Sequence, residues 1–208
     1  MIISSSELMN ILAAHPRRQE PNARLQHSAV MMILFEREAN TAVQTHAVFI
    51  MKTSDGSRHG GQIALPGGKV EAGETSALAA LRETQEEIGV APSQLEVLGS
   101  LGYFSTMTTG YDAAVFVAQP RAPLHYAPHA GEVAAIFEIP VAVLWDQFDP
   151  ALHVQTPADM LRLHFHLPAE AYLKFQTPGW LGGKKHVCIW GLTARVLQHF
   201  FHMKMLLA

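Results

Sequence analysis

Residues 60–90 read GGQIALPGGKVEAGETSALAALRETQEEIGV, a stretch in which glycines and charged residues stand at defined intervals. Their spacing is G-x5-E-x7-R-E-x2-E-E-x-G, and the positions are Gly68, Glu74, Arg82, Glu83, Glu86, Glu87 and Gly89. Seven fixed positions, each with a background frequency of roughly 6%, coincide by chance only very rarely. The stretch is therefore a motif, and it is the strongest signal in the chain.

The second half of this motif predicts a helix. Between Thr75 and Ile88 there is no Gly or Pro, and residues of high helix propensity dominate. Thr75 or Ser76 can cap the start of the helix, and Gly89 stands where a left-handed C-terminal cap is expected. We therefore expect a glycine-rich loop, a helix of about three to four turns and then a second loop.

The predicted helix carries three carboxylates at i, i+3 and i+4. At about 100° per residue, Glu83, Glu86 and Glu87 fall on one narrow face, which we expect to be displayed. The side expected to be buried consists of Ala77, Leu78, Leu81, Thr84 and Ile88. Like charges at this spacing repel, so the face needs a compensating cation, and hard oxygen ligands suit Mg²⁺ or, as a substitute, Mn²⁺. A solvated acidic face without a ligand is the alternative.

The complete motif resembles the catalytic box of the Nudix hydrolases. The resemblance implies an α/β fold, a Nudix-type α/β/α sandwich with a mixed β-sheet and a loop-helix-loop catalytic box. It also implies a metal site to which one backbone carbonyl contributes. The implied metal ligands are the carbonyl of Gly68 and the side chains of Glu83, Glu86 and Glu87.

The same resemblance implies roles for the remaining charged positions of the box. Glu74 and Arg82 are counted with the catalytic residues, as a pair that braces the loop against the helix. The base that deprotonates the attacking water is implied to be Glu83 or Glu86, and Glu132 is a candidate outside the box.

A segment just before the box resembles the branch of the family that hydrolyses the pyrophosphate of coenzyme A. It runs from Ser57 to Gly68 as SRHGGQIALPGG, and it implies substrate-binding roles for Arg58, His59 and Gln62. Arg58 is one residue nearer the glycine than in the branch pattern, Leu65 replaces Phe, and an upstream Thr-x-Arg is reduced to Lys52-Thr53.

Two distal segments resemble the same branch, namely 131–140 (GEVAAIFEIP) and 189–194 (IWGLTA). The implied substrate is CoA or an acyl-CoA, cleaved to 3′,5′-ADP and (acyl-)phosphopantetheine. The departures around Arg58 leave open a pyrophosphatase that acts on ADP-ribose, NADH or a dinucleotide. A non-catalytic Nudix-fold binding module is a second alternative, although such modules typically lose box carboxylates and this chain keeps them.

Length and charge exclude several other classes of protein. The 208 residues predict a single domain over 1–208, with a core over about 27–202 and an N-terminal helix and loop in 1–26. The net charge of −3 argues against nucleic acid or an anionic membrane as a partner. The longest apolar run, Ala29–Phe35, is too short to span a bilayer. A single cysteine, Cys188, and the absence of a signal peptide predict a cytoplasmic protein, and the oligomeric state, monomer or homodimer, stays open.

Outside the box, apolar runs predict strands, separated by loops rich in Pro, His and Gly. The predicted strands are 29–35, 47–51, 94–101, 113–117, 133–139, 161–167 and 185–189. We expect a first helix that starts behind Ser4 with a capping box to Glu7, and a last helix that begins near Gly191. Strands that bracket helices at this density predict a mixed α/β sandwich.

Overall fold

The computed structural model of the protein describes residues 1–14, 18–39, 42–53, 60–106, 109–154, 156–168, 173–176 and 186–207. The α-helices in these ranges are α1 (Ser5–Ala14), α2 (Ser76–Ile88), α3 (Val141–Trp145), α4 (Pro157–Arg162) and α5 (Gly191–Leu206). The strands are β1 (Gln26–Ala39), β2 (Ala42–Lys52), β3 (Ile63–Ala64), β4 (Gly67–Lys69), β5 (Leu95–Ser105), β6 (Tyr111–Pro120), β7 (Val133–Pro140), β8 (Phe165–Pro168), β9 (Leu173–Gln176) and β10 (His186–Ile189).

The main sheet is mixed and has eight strands. Six of them run in the order β5-β6-β1-β2-β7-β9, while β3 pairs with β2 and β4 pairs with β1. The β1–β6 pair is parallel, and the other pairs of this sheet are antiparallel. Strands β8 and β10 form a separate antiparallel pair. The predicted mixed sheet is confirmed.

Both faces of the main sheet are covered, because alternate residues of the central strands enter two different hydrophobic clusters. On β1, Met32 and Leu34 pack with α1 and α5, whereas Met31 and Ile33 pack with the buried stripe of α2. A strand that is buried on both faces reads as a continuous apolar run, which is why residues 29–35 carry no polar alternation. The three layers form the expected α/β/α sandwich.

The first helix is an integral part of the core. Ile3 and Leu8 are buried together with the side chains of α5 and of the sheet. The N–H of Glu7 donates to Ser4 Oγ at 3.2 Å, which is one half of the predicted capping box. The carboxylate of Glu7 forms an ion pair with Lys204 on α5, so α1 is joined to the other end of the chain.

The structure corrects the strand predicted at 161–167. Residues Pro157–Arg162 form α4, and strand β8 begins only at Phe165. The helix starts here because Thr156 and Asp159 cap it reciprocally. The N–H of Thr156 donates to Asp159 Oδ2 at 2.8 Å, and the N–H of Asp159 donates to Thr156 Oγ1 at 3.2 Å. A proline at the first helical position favours the same start.

Other boundaries differ by a few residues from those predicted. Strand β1 extends beyond the predicted end at residue 35, through Glu36, Arg37 and Glu38 to Ala39, because these residues pair with β2 up to Ala39↔Ala42. Strand β9 was not predicted, and it pairs with the outer edge of β7. The last helix begins at Gly191, as predicted. Within the described ranges, no helix is both long and apolar enough to cross a membrane.

Candidate active site

The helix of the box, α2, is held at both ends by the predicted caps. Thr75 is the N-cap residue, and its side chain accepts a hydrogen bond from the N–H of Leu78 at 3.3 Å. Gly89 has a φ of 76°, and its N–H donates to the carbonyl of Gln85 at 2.9 Å. A left-handed residue at this position satisfies an otherwise unpaired carbonyl of the last turn. The two caps therefore fix where the helix begins and where it ends.

The loop before the helix approaches its neighbours too closely for side chains. Gly67 pairs with Val30 of β1, and a Cβ atom built on Gly67 would overlap the backbone of Ala29 and Val30. A Cβ atom on Gly68 would lie 2.5 Å from Glu83 Oε1 and nearer still to the carboxyl carbon. The two glycines thus bring the loop backbone into direct contact with β1 on one side and with the Glu83 carboxylate on the other.

Arg82 joins this loop to the helix. Its Nη2 donates to Glu74 Oε1 at 2.8 Å and to the carbonyl of Lys69 at 3.0 Å, and its Nε lies 3.3 Å from Glu74 Oε2. The N–H of Glu71 also donates to Glu74, at 2.7 Å. The hydrogen bonds from Arg82 lower the pKa of Glu74, and the same pairing raises the pKa of Arg82. A fork of donors on a carboxylate fixes the position of both groups.

The other end of the Arg82 guanidinium contacts two further carboxylates of the box. Its Nη1 donates to Glu83 Oε1 at 2.9 Å and to Glu86 Oε2 at 3.1 Å. The Glu83 side chain is 15% exposed, whereas that of Glu86 is 57% exposed. One cation therefore holds two carboxylates side by side, one at the contact with the loop and one toward solvent.

Glu87 corrects the prediction that the three carboxylates share a displayed face. Its side chain is fully buried, its Oε2 accepts the N–H of Gly67 at 2.8 Å, and its Oε1 forms an ion pair with Lys52. Burial raises the pKa of Glu87, while Lys52 and the Gly67 N–H oppose that rise. The negative charge of Glu83 adds a smaller contribution that also raises the pKa of Glu87.

The reason for this difference lies in the stripe that α2 buries. The helix turns Ala80, Thr84, Glu87 and Ile88, spaced at i, i+4, i+7 and i+8, toward the sheet. Leu78 was expected on the buried side and is 57% exposed. The Thr84 hydroxyl is satisfied by the carbonyl of Ala80 at 2.6 Å, so a polar residue is accommodated inside this stripe.

Glu132 lies beside the C-terminal end of α2. The loop before β7 reaches this end through the N–H of His129, which donates to the carbonyl of Glu87 at 3.0 Å. The side chain of Glu132 is 57% exposed, and its Oε1 lies 3.7 Å from His129 Nδ1. The N–H of Thr53, at the end of β2, donates to the carbonyl of Glu132 at 2.9 Å. The candidate base outside the box is thus anchored next to the residue that follows Lys52.

The predicted substrate-binding residues are only partly described by the structure. The carbonyl of Gln62 accepts the N–H of Lys52 at 3.0 Å, so Gln62 lies directly across from the end of β2. Arg58 and His59 lie outside the described residues. Lys52 itself was not predicted as a site residue. The alternation along β2 carries a signal for it, because Val48 and Ile50 pack on the α2 side of the sheet and Lys52, two residues on, contacts Glu87 of α2.

The donor set of the box fits a hard divalent cation in its chemistry. In the part of the chain that is described, no three carboxylate, imidazole or thiolate groups converge as a preformed metal cluster. Basic side chains instead contact each carboxylate of the helix. Arg82 contacts Glu83 and Glu86, and Lys52 contacts Glu87. Clustered carboxylates that need cationic compensation are the oxygen ligands that Mg²⁺ prefers.

Comparison with known proteins identifies the family of this chain. The family model described as NUDIX domain matches residues 25–163. A Citrobacter koseri protein named "Uncharacterized Nudix hydrolase NudL" is 32% identical over 143 residues, which cover 68% of this chain and 66% of that protein, slightly under two thirds of its length. A Klebsiella pneumoniae protein of the same name is 28% identical over 190 residues, covering 90% of this chain and 86% of that one. Among solved structures, a MutT/nudix family protein from Enterococcus faecalis superposes with a TM-score of 0.49 at 17% identity, over 96% of this chain and 73% of that one. The chain belongs to the Nudix hydrolase family.

Proposed function

We propose that the protein is a Mg²⁺-dependent pyrophosphohydrolase that cleaves a nucleoside diphosphate derivative, with CoA or an acyl-CoA as substrate. The products are 3′,5′-ADP and (acyl-)phosphopantetheine. The observation that carries the proposal is the contact between the Glu83 carboxylate and Gly68, on a helix that also bears Glu86 and Glu87. This contact brings the loop that carries the Gly68 carbonyl against the helix that carries the glutamates.

The proposed metal ligands are the three glutamates of the helix and the carbonyl of Gly68. A Mg²⁺ ion bound there would neutralise the charge of the diphosphate and lower the pKa of the attacking water, and Mn²⁺ could take its place. The protein's own contribution is positional. Arg82 holds Glu83 and Glu86 at hydrogen-bonding distance, and Glu74 fixes Arg82 from the opposite side. Glu74 and Arg82 are therefore proposed as positioning residues rather than as groups that touch the substrate.

Three carboxylates are candidates for the base that accepts the proton of the attacking water. Glu83 is packed against the loop, whereas Glu86 and Glu132 are each more than half exposed. A base must reach the water within about 3 Å and regain a solvent path to release its proton. We propose Glu86 or Glu83 as the base, with Glu132 as the candidate from the neighbouring loop. The pH–rate profiles of the three Glu→Gln variants distinguish them, because loss of the base removes the acidic limb of the profile.

The assignment to CoA rests on the segment before the box and on two distal segments. Of the residues in that first segment, Gln62 lies at the end of β2 beside the box. The replacement of the branch's Thr-x-Arg by Lys52-Thr53 favours the second candidate, an ADP-ribose, NADH or dinucleotide pyrophosphatase. The reason is that the ammonium of Lys52 forms an ion pair with Glu87 and so does not take the place of the missing arginine.

The test is hydrolysis of CoA, ADP-ribose and NADH in Mg²⁺, with the products resolved by mass. The active-site control is Glu87→Gln, and the matched surface control is Glu96→Gln, because Glu96 is exposed and pairs only with Arg121 among its described ion pairs. Phosphopantetheine formed fastest from CoA, lost in Glu87→Gln and kept in Glu96→Gln, supports the proposal. Faster cleavage of ADP-ribose or NADH identifies that compound as the substrate in place of CoA. Absence of turnover of all three compounds indicates a binding module instead of an enzyme.

A further inference from the structure

Lys52, the last residue of β2, directs its ammonium group toward helix α2 of the box. Val48 and Ile50 pack in the cluster that contains α2, and the two-residue period of a strand continues that face to Lys52. The register with β7 shifts at this point, from Met51↔Ala135 to Lys52↔Val133, as at a β-bulge. A bulge of this kind increases the local twist of the strands and redirects the neighbouring side chain.

Lys52 meets a carboxylate that has no access to water. Glu87 is fully buried, whereas the side chain of Lys52 is 29% exposed. The N–H of Gly67 occupies one oxygen of Glu87 and the ammonium of Lys52 occupies the other. A buried carboxylate without a cation is strongly destabilising, so this site needs a positive charge whether or not a metal ion is bound.

We propose that Lys52 is the resident counter-ion of Glu87, which a divalent cation must displace, and that Lys52 thereby sets the affinity of the site for the metal. The inference rests on the proposed function, because it takes Glu87 as a metal ligand. When an ammonium and a divalent ion bind the same carboxylate, the two cations lie within a few ångströms of each other and repel strongly. Lysine suits the exchange, since its charge sits on a flexible four-carbon stem and its partly exposed side chain has a path to water.

A purely structural ion pair makes a different prediction from a displaceable counter-ion. If Lys52 only stabilises the fold, its removal weakens the protein and weakens or leaves unchanged the binding of metal. If Lys52 competes with the metal, its removal destabilises the metal-free protein and at the same time tightens metal binding. Coupling free energies between two interacting groups or ligands of a protein typically correspond to changes in affinity of about 5-fold to 150-fold, and we expect a change within this range.

The experiment measures the dissociation constant of Mn²⁺ by electron paramagnetic resonance of the free ion, and the melting temperature in EDTA. Lys52→Met removes the charge, Lys52→Gln removes it but keeps a hydrogen-bond donor, and Lys52→Arg keeps the charge. We expect tighter Mn²⁺ binding and a lower metal-free melting temperature in the first two, and binding no tighter than in the wild type in the third. If Lys52→Met does not fold, Lys52→Gln decides the question.

Lys69→Met is the matched control, because Lys69 is an exposed lysine on strand β4, which pairs with β1, and its removal changes the net charge equally. Mn²⁺ affinity that rises as much in Lys69→Met as in Lys52→Met overturns the proposal, since the effect is then one of general charge. Unchanged or weaker binding in both Lys52→Met and Lys52→Gln also overturns it. In the background of Glu87→Gln, the substitution of Lys52 should no longer change Mn²⁺ affinity, because the group in competition has been removed.

These outcomes are separable from those of the hydrolysis assay. Tighter Mn²⁺ binding in Lys52→Met, with no turnover of CoA, ADP-ribose or NADH, upholds the counter-ion and refutes the proposed enzyme. Turnover of CoA with Mn²⁺ affinity unaffected by Lys52→Met upholds the enzyme and refutes the counter-ion. An absence of Mn²⁺ binding in both the wild type and Lys52→Met refutes the inference.

Discussion

The carboxylate of Glu83 lies directly against the α-carbon of Gly68, at a separation that leaves no space for a side chain on residue 68. Glu83 belongs to α2, and Gly68 belongs to the short strand β4 of the preceding loop. Glycine is required here for space and not for a left-handed backbone, because Gly68 is absent from the residues with positive φ. The contact holds the loop of the box directly against its helix.

Gly68→Ala should abolish most of the activity while leaving the protein folded. The added methyl group forces Glu83 away from the loop, and a displacement of about 1 Å in an active site can lower the rate by about 100-fold. The measurement is kcat for CoA hydrolysis together with the melting temperature. Gly73→Ala is the control, because a Cβ atom there meets nothing within 4 Å, although its φ of 87° strains the backbone. Equal losses of activity in the two variants would contradict the interpretation.

Arg82→Lys should lower kcat by about 10-fold to 100-fold, the usual effect of losing a group that orients a metal ligand. A single ammonium replaces a fork that contacts Glu74, Glu83 and Glu86 at once, so it can hold the loop or the carboxylates but not both. Steady-state kinetics and circular dichroism check the prediction. A lysine variant with wild-type kcat would show that the bidentate geometry is dispensable.

Asp112 should make the stability of the protein depend on pH in the acid range. Burial alone raises the pKa of Asp112, but hydrogen bonds from Arg18 Nη2 at 2.5 Å, the Asn22 N–H at 2.8 Å and Ser105 Oγ at 2.8 Å bring its pKa below the ordinary value of 3.8. The folded-state pKa is depressed, so this stabilisation is fully present above the unfolded-state value of about 4 and is lost as the pH falls through the folded-state pKa. Urea unfolding of the wild type and Asp112→Asn between pH 7 and pH 3 should give curves that converge at the acid end. Curves that stay parallel over this range would contradict the assignment.

Tyr126→Phe should reduce the free energy of unfolding by about 1–3 kcal/mol, the cost of leaving a buried acceptor short of a donor. The Tyr126 hydroxyl donates to Glu138 Oε1 at 2.8 Å, and Glu138 is fully buried beside Arg37 Nη2 at 2.6 Å. Burial and the neighbouring Glu138 both raise the pKa of Tyr126, so the hydroxyl keeps its proton at neutral pH. Denaturant unfolding is the measurement, with Tyr111→Phe as a control. Activity should be unchanged, and a loss of activity without a loss of stability would assign this tyrosine a different role.

The box and its helix could be predicted from sequence because their determinants are local. The capping residue Thr75, the left-handed Gly89 and the absence of helix breakers between them depend only on near neighbours along the chain. The strand predicted at 161–167 was wrong in its first residues. The alternation of apolar residues indicated a strand, but the reciprocal cap of Thr156 and Asp159 starts a helix just before it.

The sequence by itself determined that the chain has a Nudix box, a helix capped at Thr75 and Gly89, and glutamates spaced on successive turns of that helix. Only the tertiary structure decided which of these glutamates is exposed. Glu87 is buried because the small residues of α2 let the helix lie close to the sheet, and its charge is balanced by Lys52 from a strand 35 residues away in sequence. Helical periodicity gives the angle between two side chains, but it contains no information on which side the sheet lies or on which distant strand supplies a cation. Those depend on contacts between segments far apart in the chain, which form only when the whole core packs.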